Sequence, residues 1–343
     1  DRSSAASDVY KRQVTLFAGL TEYMPGRNRG TWSSRVSFIG NWSYPLCSLI
    51  AMGLTPLISA EWNWRVQLLI PAILSLIATA LAWRYFPESP RWLESRGRYQ
   101  EAEKVMRSIE EGVIRQTGKP LPPVVIADDG KAPQAVPYSA LLTGVLLKRV
   151  ILGSCVLIAM NVVQYTLINW LPTIFMTQGI NLKDSIVLNT MSMFGAPFGI
   201  FIAMLVMDKI PRKTMGVGLL ILIAVLGYIY SLQTSMLLIT LIGFFLITFV
   251  YMYVCYASAV YVPEIWPTEA KLRGSGLANA VGRISGIAAP YAVAVLLSSY
   301  GVTGVFILLG AVSIVVAIAI ATIGIETKGV SVESLSIDAV ANK

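Results

Sequence analysis

Acidic and arginine residues recur in two similar blocks, each directly before a long apolar stretch. The first block is Glu22-x-x-Pro-x-x-x-Arg29-Gly and the second is Glu264-x-x-Pro-x-x-x-x-x-Arg273-Gly, and their glutamates are 242 residues apart. A carboxylate and a guanidinium at the ends of neighbouring helices can bond each other, or bare helix-end carbonyls, in one conformation and separate in another. The blocks therefore predict charge pairs that open and close.

A second acidic signature follows each block at a similar distance. Glu88 and Arg91 lie in the sequence Pro-Glu-Ser-Pro-Arg-Trp-Leu, and Glu326 begins the sequence Glu-Thr-Lys-Gly, 238 residues after Glu88. Two motif pairs at nearly one offset indicate an internal repeat, which is how many secondary transporters are built.

A further charged turn lies between two apolar stretches in the second half of the chain, at 208–213. The residues that we predict to pair charges at a gate are Glu22, Arg29, Glu88, Arg91, Asp208, Lys209, Arg212, Lys213, Glu264, Arg273 and Glu326. The alternative is that these are loop charges that fix the orientation of the chain and have no role in gating.

Polar residues inside apolar stretches form the second candidate set, because polar groups are costly in lipid and usually face a cavity or a partner helix. Arg283 is the sharpest, since a buried guanidinium suits a carboxylate, although it could also brace helix-end carbonyls. Asn and Gln can equally hold helices together, and an aromatic stripe can equally be packing. The predicted solute contacts are Asn161, Gln164, Tyr165, Asn169, Trp170, Asn189, Tyr253, Tyr256, Asn279 and Arg283.

The elements that must position these residues are transmembrane helices. The 343 residues are 55% hydrophobic and 13% charged, with a mean hydropathy of +0.65. About 20 apolar residues cross a bilayer core as a helix, and backbone N–H and C=O groups in lipid must be hydrogen-bonded within the protein. We predict an all-α membrane bundle of eight whole spans, preceded by the stump of a ninth at 14–21. The whole spans are 33–58, 66–86, 150–172, 185–207, 215–232, 236–262, 275–298 and 302–325.

Lys and Arg are distributed unequally between the connections. The alternate connections that include the C-terminus carry 18 of them, and the opposite set carries 2. Because cytoplasmic loops are enriched in positive charge, the C-terminus is predicted to be cytoplasmic. This bias also accounts for the net charge of +8 without a nucleic-acid partner.

The predicted organisation has five parts. Residues 1–13 are polar and resemble a non-native junction peptide, and 14–86 are the remnant of an N-terminal half. Residues 87–148 form a cytoplasmic loop with an amphipathic helix over 98–115 and a Pro-rich linker. Residues 149–326 form a complete six-helix half, and 327–343 a cytoplasmic tail.

The motifs resemble those of the major facilitator superfamily, in its branch of sugar porters, organic-ion transporters and bacterial metabolite transporters. The block from Tyr261 to Gly329 is similar throughout to bacterial inner-membrane metabolite transporters. The turn at 208–213 resembles the family's signature loop, but Met204 and Pro211 stand where the family has Gly, which weakens its tight-turn role. The resemblance implies two pseudo-symmetric halves around a mid-membrane solute site, an N-terminally truncated chain, and Arg283 facing the central cavity.

The function predicted is secondary transport of a small organic ion or metabolite by alternating access, as a monomer in lipid, with protons as a possible driver. A sugar or polyol porter and an inactive truncated fragment are the alternatives. An enzyme is disfavoured because the chain has no His, no paired intramembrane carboxylates and no nucleophile motif. The absence of a phosphate-binding loop disfavours an ATP-driven pump, and no cofactor or metal is predicted.

Overall fold

The computed structural model describes residues 29–85, 90, 93, 97–118, 137–177, 179–207, 209–267 and 270–327. The described parts are almost entirely helical. The helices are α1 Arg29–Asn41, α2 Ser43–Leu54, α3 Ala60–Tyr85, α4 Tyr99–Thr117, α5 Tyr138–Leu141, α6 Gly144–Thr177, α7 Leu182–Met193, α8 Gly195–Val206, α9 Arg212–Ser231, α10 Met236–Val254, the π-helical turn Cys255–Tyr261, α11 Val262–Glu264 and α12 Lys271–Ile323.

Six stretches among the described residues are long and apolar enough to cross a membrane. They are Glu61–Leu81, Gly144–Thr177, Leu182–Val206, Arg212–Ser231, Met236–Glu264 and Arg273–Ile323. The predicted count of eight whole spans is not confirmed by this number, and the stump at 14–21 lies outside the described residues. The predicted spans 33–58 and 185–207 each contain one helix break, and the predicted spans 275–298 and 302–325 are the two arms of α12, which meet at the non-helical Gly301.

Two helix breaks have the same cause. The chain leaves regular helix at Trp42, three residues before Pro45, and at Phe194, three residues before Pro197. Proline lacks the N–H that would bond the carbonyl four residues earlier, and its ring crowds that carbonyl. The Trp42 and Phe194 rings contact each other edge to face, with centroids 6.4 Å apart.

The bend within α12 is at Gly301, whose φ of 64° and ψ of −160° lie far from helical values. That region of backbone space is essentially restricted to glycine. The two arms of α12 therefore join through one residue, without the short loop that the hydropathy pattern predicts.

The chain divides into two compact units. One contains Ile58–Ala132, and the other contains Gly30–Leu57 together with Pro133–Lys343. In the first unit α3 has no buried residue in its apolar window. The predicted amphipathic helix over 98–115 corresponds to α4, where Arg107 donates to Glu103 at 2.6 Å.

In the second unit α6 packs along α12, which also packs along α9, and α10 packs on α7, α8 and α9. Helix α2 packs on α7. The interior of this unit is rich in large aromatic side chains, which include Phe175, Tyr230, Tyr251, Tyr253, Tyr256, Tyr261, Trp266 and Phe306.

Candidate functional site

A charged cluster is assembled where α9 begins. The Glu326 carboxylate accepts hydrogen bonds from the backbone N–H of Arg212 at 2.8 Å and of Lys213 at 3.1 Å. The first N–H groups of a helix have no partner within it, and the helix dipole favours negative charge there. Pro211 occupies the cap position and has no side-chain oxygen to accept these bonds. The Glu326 carboxylate thus replaces the missing cap.

The Arg212 side chain ties a second carboxylate into this cluster. Its Nε and Nη2 donate to the two carboxylate oxygens of Glu264 at 3.1 and 3.2 Å, and its Nη1 donates to the carbonyl of Met207. Thr327 Oγ1 donates to Glu264 Oε2 at 2.6 Å. The Arg212 side chain is 7% exposed and that of Glu264 is 35% exposed. A nearly buried guanidinium therefore joins the ends of three membrane helices.

The structure brings Arg212, Glu264 and Glu326 together from the predicted gate set, with Lys213 contributing its backbone. Arg273 instead lies over the ring of Tyr138, with 5.2 Å from its guanidinium carbon to the centroid. Lys209 is exposed in the turn before α9. Outside the described residues lie Glu22, Glu88, Arg91 and Asp208, and only the backbone of Arg29 is described. That these charges act as a gate stays a prediction.

A second cluster lies deep in the interface of α6 with α12. The two helices approach closely because α12 presents glycines: a Cβ on Gly282 would lie 2.8 Å from Leu157 Cβ and 3.0 Å from Asn161 Nδ2. A Cβ on Gly286 would lie 3.2 Å from Tyr165 Cδ2. Small residues are what allow membrane helices to pack this tightly.

Arg283 lies between these glycines in sequence and donates from Nη1 to the hydroxyl of Tyr165. Both side chains are partly buried. Arg283 is ten residues beyond Arg273, and a helical rise of 1.5 Å per residue places it about 15 Å further along α12. A hydrocarbon core is about 30 Å thick, so a span that begins at Arg273 carries Arg283 over about half of that distance.

Two tyrosines that the sequence analysis missed extend this cluster. The Tyr251 ring is 1% exposed and meets the Tyr44 ring edge to face, with centroids 5.1 Å apart. Gln164 and Tyr165 lie close to the Tyr251 hydroxyl. The only sequence signal was that each tyrosine is a polar-tipped residue in an apolar stretch. Tyr251 is out of helical phase with Phe249, Tyr253 and Tyr256, which form the predicted aromatic stripe.

Tyr253 and Tyr256 are buried inside the second unit. Tyr253 donates to the carbonyl of Val156 at 3.1 Å, and Tyr256 stacks on Tyr261 with centroids 5.0 Å apart and an interplanar angle of 15°. The Tyr256 ring also lies directly against Gly216 of α9. These contacts are those of packing residues, and a solute contact by either tyrosine stays a prediction.

The remaining predicted contacts are more dispersed. Asn161 donates to the carbonyl of Leu157 in its own helix at 2.7 Å, and Asn279 donates to the carbonyl of Ser275 at 2.9 Å. The described residues offer no hydrogen-bond partner to the buried Oδ1 of Asn161 or of Asn189. Asn169 is exposed and Trp170 is half-buried, both near the end of α6.

Comparison with known proteins decides the family. The sequence profile of the Major Facilitator Superfamily matches residues 14–290. The chain belongs to this superfamily. A protein of Escherichia coli (strain K12) named for metabolite transport, YdjK, is 99% identical over 330 residues, which are 96% of the chain and 72% of YdjK. The inner membrane metabolite transport protein YdjE of the same organism is 44% identical over 322 residues, which are 93% of the chain and 70% of YdjE.

Solved structures of the superfamily share the fold. A partially occluded, inward-open structure of the xylose transporter XylE from E. coli has a TM-score of 0.67 and 19% identity, over 92% of the chain and 68% of XylE. As a major facilitator protein the chain is an integral membrane transporter and not an enzyme. The sequence-based assignment to this superfamily and to transport is confirmed.

Proposed function

We propose that this major facilitator protein moves a small organic anion across a bacterial inner membrane by alternating access, and that Arg283 is its anion contact. One observation carries the proposal: a guanidinium near mid-membrane is held by the Tyr165 hydroxyl at a glycine-lined contact of two helices. A guanidinium is an always-charged donor that suits the planar geometry of carboxylates. Intramembrane ionisable residues usually mark solute pathways.

The neighbours of Arg283 favour an acid with an apolar or aromatic body. Tyr165, Gln164 and Tyr251 offer hydroxyl and amide groups beside aromatic faces, a mixture that orients a ligand with few polar contacts. A hexose would call for many hydroxyl partners. The other predicted contacts, Asn161, Asn169, Trp170, Asn189, Tyr253, Tyr256 and Asn279, are secondary in this proposal.

The proposed architecture has eight whole membrane crossings, with α1 and α2 as one crossing and the two arms of α12 as two. The range 14–86 then belongs to one half of the carrier and 149–326 to the other. The C-terminus lies in the cytoplasm, where the cluster of Arg212, Glu264 and Glu326 opens and closes access. The carrier works as a monomer in lipid, and a proton gradient drives it.

The test is uptake into proteoliposomes. Benzoate, 4-hydroxybenzoate, succinate and D-xylose, each radiolabelled, are offered with and without an inside-alkaline pH gradient. We expect an aromatic or aliphatic acid to enter, and faster with the gradient. Arg283→Ala should reduce its uptake about 100-fold, as expected for loss of a charge-assisted contact worth about 3 kcal/mol, while Arg283→Lys retains part.

Arg35→Ala is the matched control, because Arg35 is an exposed arginine in another membrane helix. Its uptake should equal that of the wild type. Undiminished uptake by Arg283→Ala would remove Arg283 from the site. Entry of xylose but of no acid would replace the proposed anion with a sugar.

A further inference from the structure

Arg149 of α6 is a buried cation that the proposed transport site does not use. It is only 3% exposed, and in the part of the chain that the structure describes neither Nε nor Nη1 has a hydrogen-bond partner. Burying a guanidinium without partners is among the costliest arrangements in a protein, so such a group normally has a counter-charge.

The packing of α6 on α12 places other unused donors beside Arg149. One turn after Arg149, a Cβ on Gly153 would lie 3.6 Å from the Trp266 indole and 3.3 Å from Ala278 Cβ. Residues further along α6 contact residues further along α12, because Gly153 meets Ala278 and Leu157 meets Gly282. Arg149, one turn before Gly153, therefore lies at the level of the residues one turn before Ala278. Ser275 is among these, and the Trp266 indole lies directly against Gly274.

Trp266 Nε1 and Ser275 Oγ are also buried without a partner among the described residues. Three donor side chains, one of them permanently charged, thus belong to the same end of the α6–α12 contact, and the described residues offer no acceptor to these buried atoms. Arg149 is 16 residues before Tyr165, or about 24 Å along α6, so this group of donors is far from the proposed solute site. Arg149 is five residues from the start of α6, or about 7–8 Å, so it lies near one end of this helix.

We infer that Arg149, Trp266 and Ser275 form a second binding site, for an oxyanion, at the membrane edge of the α6–α12 contact. The chemistry required is a phosphate or carboxylate oxygen that accepts from the guanidinium, the indole N–H and the hydroxyl. Either the phosphate of an anionic phospholipid or a soluble anion offers this chemistry. The inference does not depend on Arg283 or on the identity of the transported solute.

The test measures thermal unfolding of the full chain in micelles of an uncharged, phosphate-free detergent. In one arm phosphatidylglycerol is added stepwise, and in the other inorganic phosphate replaces sodium chloride at constant ionic strength. An anion that binds only the folded protein raises its midpoint in a saturable way. We expect this rise for the wild type. A rise in the lipid arm alone identifies a lipid phosphate, and a rise with inorganic phosphate identifies a soluble anion.

Arg149→Met should abolish the rise and should not lower the midpoint measured without anion, because it removes an uncompensated buried charge. Lys148→Met is the matched control, since the adjacent Lys148 is exposed and carries the same charge, and it should respond like the wild type. Arg149→Lys should need about tenfold more anion for half of the rise, as expected when a planar donor pair becomes one ammonium group.

A wild type that responds to neither probe would overturn the inference, as would an Arg149→Met variant with an unchanged response. If Arg149→Met does not fold, Arg149→Lys decides: a half-saturation equal to that of the wild type would exclude Arg149 from the site. Solute uptake tests the proposal for Arg283, and its outcome does not decide whether this anion site exists.

Discussion

The charged cluster at the start of α9 allows a quantitative test by a double-mutant cycle. The perturbations are Glu264→Gln, Arg212→Met and their combination. Arg212→Met removes the guanidinium but keeps the backbone N–H that binds Glu326, and Glu264→Gln keeps an oxygen that can accept from Thr327. The cycle therefore isolates the two hydrogen bonds between guanidinium and carboxylate, at 3.1 and 3.2 Å.

The expected coupling free energy follows from burial. Hydrogen bonds to charged groups contribute about 1.5–3 kcal/mol each when buried. The Glu264 side chain is 35% exposed, so solvent screens part of this interaction. We therefore expect a coupling of about 1–2 kcal/mol for the pair as a whole. Single substitution at Glu264 should cost more than the coupling, because it leaves the nearly buried Arg212 guanidinium without its carboxylate.

The assay is reversible unfolding in mixed micelles by titration with sodium dodecyl sulfate, followed by circular dichroism. Glu103→Gln with Arg107→Met is the matched control cycle, because this pair is 2.6 Å apart but its side chains are 62% and 71% exposed. Exposed helical pairs contribute below about 0.5 kcal/mol. Equal couplings in the two cycles, or none at Arg212–Glu264, would refute the argument that burial strengthens this contact.

Two further predictions concern packing in the second unit. Gly282→Val should destabilise the protein by about 1–3 kcal/mol, since the added atoms would meet α6, whereas Gly276→Val should change little because no atom lies within 4 Å of its Cβ position; thermal midpoints in one detergent compare them. Tyr253→Phe should cost about 1 kcal/mol because the hydroxyl donates to a backbone carbonyl, and Tyr256→Phe should cost nothing because its buried hydroxyl has no described partner. A costly Tyr256→Phe, measured by the same dodecyl sulfate titration, would show that this hydroxyl has a partner.

The apolar helices and the charged cluster were the most predictable features. Membrane spans follow from composition alone, because a helix needs about 20 mostly apolar residues to cross the hydrocarbon core. The acids Glu264 and Glu326 and the base Arg212 stood out because charges are scarce in this chain and these three flank apolar stretches. Their types and positions were enough to predict that they could pair.

Features that depend on the relative rotation of helices were not predictable from the sequence. Arg273 was grouped with the gate acids, yet it lies over the Tyr138 ring, since only the position of the short helix α5 brings that ring within reach. The predicted span 150–172 begins one residue after Arg149, so the pattern gives no reason to expect that its side chain is buried. Trp266 packs between glycines of the same two helices, which the pattern does not show either.

The way in which helices end was also beyond the sequence analysis. A hydropathy pattern separates the two arms of α12 but does not show that a single glycine turns the chain there. The hydropathy pattern predicts uninterrupted spans at 33–58 and 185–207, so it shows neither the break at Trp42 nor the one at Phe194. Local backbone rules explain these breaks only once the helices on both sides are located.

The contact of Glu326 with α9 is made to main-chain amides, and this determines what genetic variation can reveal about it. Every amino acid except proline supplies the same N–H at positions 212 and 213, so substitutions there leave the donors of this contact in place. An alanine scan would score Lys213 as silent and assign the whole interaction to the carboxylate. Among single substitutions, a change of Glu326 or a proline at position 212 or 213 is needed to remove this contact.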